Sequence, residues 1–293
     1  MTRMLETKLR ISRALTSVGV ARDWLLSRRV AGRHAADFDQ IERYLMFAGY
    51  PRSGHSLVGS LLNAHPDVVV SHQLNALRYV ENGFSRAQLF GMIFLSDARF
   101  EKKGRTGTKR EYDYAVPGQW QGRYRTLRVI GDKRGKGSSQ AIGADPQLLA
   151  NLRDLVKVPV RCLHVLRNPY DSITTMSKRT RSPLDRTADR FFRLADGVVT
   201  IRSLLPPEAW HDLRHEDLIA DPRAAVAGLC TFLGIEPHPD YLDACAGIIY
   251  QTPHRSRFDR EWSPELIGAV ARRSAAYDFF SGYVYDEEPA GRP

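Results

Sequence analysis

The residues best equipped for chemistry lie between Tyr44 and Val70, in the stretch YLMFAGYPRSGHSLVGSLLNAHPDVVV. The apolar run Tyr44 to Ala48 predicts a buried strand, Gly49 to Ser56 a turn, and Ser56 to Asn63 a helix. A loop of this kind gathers unpaired backbone N–H groups at a helix N-terminus, where free donors and the helix dipole together favour an anion. Gly49 and Gly54 bracket four residues as in a triphosphate-binding P-loop, but His55 stands where that motif needs its lysine. ATP is therefore disfavoured. The cation sits instead at Arg52, within Arg52-Ser53-Gly54-His55-Ser56, and Leu57 continues the N–H series into the helix.

The rest of the chain supplies elements that position this loop. Val68 to Ser71 predicts a second strand that delivers His72 and Gln73 to the same edge. A helix is expected over Phe84 to about Leu95, then a long basic and aromatic loop over Arg99 to Arg125, broken by glycines and Pro117. Leu127 to Ile130 predicts a third strand, followed by Gly131-Asp132-Lys133-Arg134. A helix over Pro146 to Leu155 leads to a strand over Val160 to Leu166, which runs into Arg167-Asn168-Pro169. Thr175 and Arg179 follow one helical turn apart, so they share a helix face. Alternating strands and helices predict an α/β fold, a three-layer α/β/α sandwich with a mostly parallel central sheet, of the P-loop-containing nucleotide-binding type.

Composition bounds the partners. The 293 residues carry a formal net charge of +10, and 43% are hydrophobic, as in an ordinary globular chain with an anionic partner. No nucleic-acid-binding signature accompanies the charge, so no nucleic acid is expected. Cys162, Cys230 and Cys245 are too few and scattered for a disulfide framework or a metal site. No apolar run approaches the roughly 20 residues that cross a bilayer, and no secretory leader is evident. The expected location is the cytoplasm, with peripheral membrane contact through the basic N-terminus as one reading. Residues 1–40 form a basic, partly amphipathic helical extension in this scheme, 41–286 the main domain, and 287–293 a flexible tail.

Pro51-Arg52-Ser53-Gly54, followed by His65-Pro66-Asp67-Val68, resembles the sulfotransferase family, in particular its tyrosylprotein and carbohydrate branches. The resemblance implies 3′-phosphoadenosine 5′-phosphosulfate as donor, its phosphosulfate held by Arg52 and the loop, with no metal. It implies that Lys133 is the catalytic lysine and that Arg167 and Thr175 grip the 3′-phosphate, with Arg179 beside them. His215 falls where the family often places a tyrosine near the adenine, and Arg257 is the candidate for a segment closing over the nucleotide. In the tyrosylprotein enzymes the second strand ends in a pair of glutamates, one of them the general base. Here His72 and Gln73 hold those places, and a neutral imidazole can take the proton where glutamine cannot. The implied reaction is sulfuryl transfer to a hydroxyl or amine of a small-molecule, glycan or lipid acceptor. Two alternatives stay open: a P-loop kinase or NTPase, for which Asp132 would serve as magnesium ligand, and a non-catalytic nucleotide-binding module.

Overall fold

A computed structural model describes residues 19–106 and 112–286. The expectations placed on 1–18, on Lys109 and Arg110, and on the tail 287–293 lie outside the described residues. Five strands, β1 (Arg43–Ala48), β2 (Val68–Ser71), β3 (Val129–Asp132), β4 (Val160–Leu166) and β5 (Trp210–Arg214), form one sheet. Their order is β2-β3-β1-β4-β5, and every neighbouring pair is parallel. The helices in chain order are α1 (19–33), α2 (Ala35–Asp39), α3 (His55–Asn63), α4 (Leu77–Glu81), α5 (Arg86–Glu101), α6 (Gly135–Ala144) and α7 (Gln147–Val156). They continue with α8 (Pro169–Thr180), α9 (Leu184–Ser203), α10 (His215–Ala220), α11 (Pro222–Leu233), α12 (Pro239–Gly247) and α13 (Pro264–Ser274).

Strand alternation sorts the core into two layers. Tyr44, Met46 and Ala48 of β1 face one cluster with Phe90, Leu152, Ile173 and Phe191, drawn from α5, α7, α8 and α9. Leu45 and Phe47 face the other, with Leu61, Leu229 and Tyr241 from α3, α11 and α12. The expected three-layer α/β/α sandwich is the observed architecture. Ligand loops belong at the carboxyl ends of such strands, beside the point where strand order reverses. That edge carries the loops after β1, β3 and β4, and with them Arg52, Lys133 and Arg167.

Two boundaries differ from the sequence reading. The helix expected to end near Leu95 runs on to Glu101, because a capping box starts it firmly and Asp97 and Phe100 extend its buried face. Ser85 and Gln88 make that box, each side chain bonding the other's backbone N–H. The long loop therefore begins three residues later than expected. The third strand is shifted from 127–130 to 129–132, since its pairing with β1 continues to Met46 opposite Asp132.

Candidate active site

The loop between β1 and α3 is braced from beneath by its own side chains. His55 turns inward, Nε2 donating to the Ala48 carbonyl at 2.9 Å, which leaves Nδ1 as an acceptor. The Ser53 hydroxyl lies 2.9 Å from that Nδ1 and 3.1 Å from the Tyr50 carbonyl. Burial holds this imidazole neutral, its pKa pushed down to about 3. His55, in the place of a P-loop lysine, is thus a prop under the loop. From β1's far side, Gly49 N–H donates to Ser139 Oγ of α6 at 2.8 Å.

Above this prop the backbone turns its donors outward. Gly54 enters α3 with φ of 104°, a left-handed conformation suited to glycine, and Arg52 sits at φ of 74° with its side chain exposed. The first helical bond runs from Val58 N–H to the Gly54 carbonyl, and no side chain caps the helix. The N–H groups of His55, Ser56 and Leu57 consequently have no partner within the helix, which is the donor set an anion uses. Leu57 itself points its side chain into the second core cluster.

Lys133 reaches this helix end from β3. Its stem crosses α3 at Gly59, where a Cβ would stand 2.6 Å from Lys133 Cγ, and its Nζ donates to Ser56 Oγ at 2.8 Å. The side chain is 3% exposed, and burial pulls its pKa down to about 7, with Asp132 opposing and Arg134 adding to the fall. Asp132, one residue earlier, faces the other way. Its two oxygens accept from Ser71 Oγ and from the N–H groups of Leu74, Asn75 and Ala76 at 2.8 to 2.9 Å. Burial pushes its carboxyl up while these donors favour the ionised form. The carboxylate is a clip for the turn after β2, with both oxygens engaged by protein donors.

His72 leads that turn. Its ring stacks on Phe100 at 3.8 Å, with planes 7° apart, and lines a small cleft with Lys133, Ser60, Ser71 and Arg105. Burial, then Lys133 and Arg105, lowers its pKa to about 3. Arg105 closes the cleft by a bidentate bond to Asp97, at 2.9 and 3.1 Å, and also donates to the Gln121 carbonyl. Asn63 completes this strap, donating to Asp97 and accepting from Val70 N–H.

On the loop's opposite flank, Arg167 donates to the Arg52 carbonyl at 3.3 Å, to Ser256 Oγ at 3.2 Å and to the His254 carbonyl. It thereby joins the donor loop to the C-terminal segment. Arg257 is 1% exposed and pairs with Asp171, the side chain at 3.0 Å and the backbone N–H at 2.8 Å. Arg257, the candidate for a segment closing over the nucleotide, is thus a buried partner of Asp171. Thr175 donates to the Asp171 carbonyl, and Arg179 is exposed one turn further on, with no hydrogen bond to Arg167 or Thr175 among the described residues. His215 opens α10 against the loop: a Cβ on Gly54 would stand 2.9 Å from its Nδ1, a buried nitrogen without a partner among the described residues. Burial, then Arg167, lowers its pKa to about 4.

The structure therefore brings Arg52, Ser53, Gly54, His55, Ser56, Leu57, Lys133, His72, Arg167 and His215 to one edge, with Thr175 and Arg179 on the adjoining helix. Sequence reasoning missed Ser139, Asp171 and Ser256. Asp171 alone carried a signal, as an acid in the first turn of a helix just after Arg167.

An uncapped helix start on a parallel sheet, with Lys133 and Arg167 beside it, is an anion cradle. A family model described as the sulfotransferase family matches residues 45–240, and the chain belongs to that family. No curated protein matches it. Among solved structures it is similar to the sulfotransferase domain from the Synechococcus PCC 7002 olefin synthase, at 18% identity over 82% of this chain and 96% of that one, with a TM-score of 0.49. It is also similar to the sulfotransferase STF9 from Mycobacterium avium, at 13% identity over 87% and 82% of the two chains, TM-score 0.49. A mouse sulfotransferase complexed with PAP follows at 12% identity over 82% and 87%, TM-score 0.45.

Proposed function

We propose that this protein transfers a sulfuryl group from 3′-phosphoadenosine 5′-phosphosulfate to a hydroxyl or amine of an acceptor. The observation that carries the reading is the uncapped start of α3 with the buried Lys133 ammonium on Ser56, flanked by Arg167. The residues fit a bis-anionic nucleotide: three orphan N–H groups, a buried cation and the orphaned His215 Nδ1 converge on one turn. When bound, the donor supplies an activated sulfuryl group on a phosphate leaving group.

Each residue then has a task. The N–H groups from Ser53 to Leu57 hold the 5′-phosphate, and Arg52 neutralises the sulfuryl oxygens. Lys133, in its charged form, stabilises negative charge on the bridging oxygen as its bond to sulfur breaks. Arg167, with Thr175 and Arg179, holds the 3′-phosphate through charge-assisted bonds, while Arg257 positions the wall through Asp171. His215 contacts the adenine.

His72 takes the acceptor's proton on a ring nitrogen. Burial, then Lys133 and Arg105, keeps it unprotonated and so able to accept a proton. Positioning and charge stabilisation together supply the catalysis.

The test is turnover. The protein, supplied with the phosphosulfate donor and a panel of phenols, sugars, glycolipids and amines, is expected to release adenosine 3′,5′-bisphosphate only with an acceptor present. Consumption of ATP with magnesium, and none of the phosphosulfate, would overturn the reading.

A further inference from the structure

The inner face of α1 is fixed to the domain. Gln88 Nε2 donates to the Trp24 carbonyl and the Ser27 hydroxyl, each at 3.3 Å, and Tyr79 OH donates to Asp23 Oδ2 at 2.9 Å. Gly91 of α5 permits the close approach, since a Cβ there would stand 3.0 Å from the Ser27 carbonyl oxygen. This seam engages Asp23, the sole acid between residues 19 and 33.

What remains outward is apolar and cationic together. Arg22, Arg28, Arg29 and Arg33 are exposed around Leu25, which is 63% exposed, and Trp24, which is 38% exposed with the Arg28 guanidinium 4.8 Å over its ring. At the helical period these six positions fall on one half of the cylinder. No acid on α1 balances them. A nucleic-acid backbone would use the arginines and leave Leu25 in water, whereas a lipid interface takes both: headgroups for the cations, the acyl boundary for leucine and tryptophan.

We propose that this face docks the protein on an anionic membrane surface. The net charge of +10 draws the whole molecule toward such a surface, and α1 supplies the seat. α5 links the seat to the reaction cleft: Gly91 lies under α1 and Phe100 lines the cleft, about 14 Å apart at the helical rise. An acceptor held at the interface is then within reach. The proposal is independent of the donor's identity.

The experiment is cosedimentation of the full chain with vesicles of phosphatidylcholine alone and of phosphatidylcholine with phosphatidylserine, at rising salt. Binding is expected to the serine-containing vesicles only, weakening as salt screens the charges. The combined variant Arg22→Gln, Arg28→Gln, Arg29→Gln and Arg33→Gln, all exposed positions, is expected to bind roughly six-hundredfold less tightly, at about fivefold per arginine. Vesicles should blue-shift the tryptophan emission, and Trp24→Phe should remove that shift. Unchanged binding by the combined variant, equal binding to both vesicle types, or binding to duplex DNA with none to vesicles would overturn the proposal.

Discussion

The two flanks of the donor loop are held together differently. On the β1 side Ala48, Tyr50, Ser53 and His55 brace one another across no more than seven positions. On the Arg167 side the contacts run between residues 86 to 115 positions apart: Arg167 to Arg52, His254 and Ser256, and Asp171 to Arg257. The first flank is braced largely by its own near neighbours, with Ser139 and Lys133 reaching it from further along the chain. The second exists only when the C-terminal segment has docked. The flank proposed for the phosphosulfate is therefore braced largely by near neighbours, and the flank proposed for the 3′-phosphate is a clamp made by tertiary docking.

Breaking the clamp should cost the most. Arg257→Ala leaves Asp171 buried without its cation, and unfolding by urea should show a loss of about 3–5 kcal/mol. Adding Asp171→Asn should recover part of that loss, because the buried charge is gone. A loss below about 1 kcal/mol would mean that the pair does not hold this flank.

On the cradle side the expected effect is on rate. Lys133→Ala should lower kcat by roughly a hundred- to a thousandfold, comparable to removing one oxyanion donor, with the fold intact. The same residue sets a pH dependence. Its pKa near 7 in the free enzyme means that the required charged form is lost as pH rises, so kcat/KM should have a falling limb near that value. Bound anion favours the charged form, so the limb in kcat should lie at higher pH. Lys133→Arg should abolish the limb; if the limb persists, another group titrates.

A smaller and more selective effect is expected at Arg167. Arg167→Ala should weaken adenosine 3′,5′-bisphosphate by about 1.5–3 kcal/mol, the range for a bond to a charged group, and leave adenosine 5′-phosphosulfate nearly unaffected. Equal losses for both would place Arg167 elsewhere than at the 3′-phosphate. The prop's effect is confined to acid. His55 is neutral in the fold and titrates near 6.5 when unfolded, so its contribution is present above that pH. It is lost as pH falls toward 3, at about 1.4 kcal/mol per pH unit. His55→Asn should flatten that acid limb in a stability profile, and an unchanged limb would show that other groups dominate it.

The same contrast explains what could be read from the chain. The apolar run Val160–Leu166 fixed its strand to the residue, and the loop from Gly49 to Ser56 announced an anion site, because strand pattern and helix start are local properties. His55 could be excluded as a P-loop lysine by its type. That it turns under the loop toward the Ala48 carbonyl could not be read, since the space beneath is created by Gly135 of α6. An acid after a strand, such as Asp132, is locally ambiguous; only the folded turn at Leu74 to Ala76 shows that its oxygens clip that turn. Asp171 and Arg257 gave no sign of each other in sequence, being joined by tertiary docking alone.

The central claim is that this edge receives a 3′-phosphorylated nucleotide without metal. Calorimetric titration with adenosine 3′,5′-bisphosphate, set against ATP with magnesium, tests it most directly. Saturable binding of the bisphosphate in the presence of chelator, and a clear preference for it over magnesium ATP, are the expected results. Preferential binding of magnesium ATP, or no binding of the bisphosphate, would contradict it.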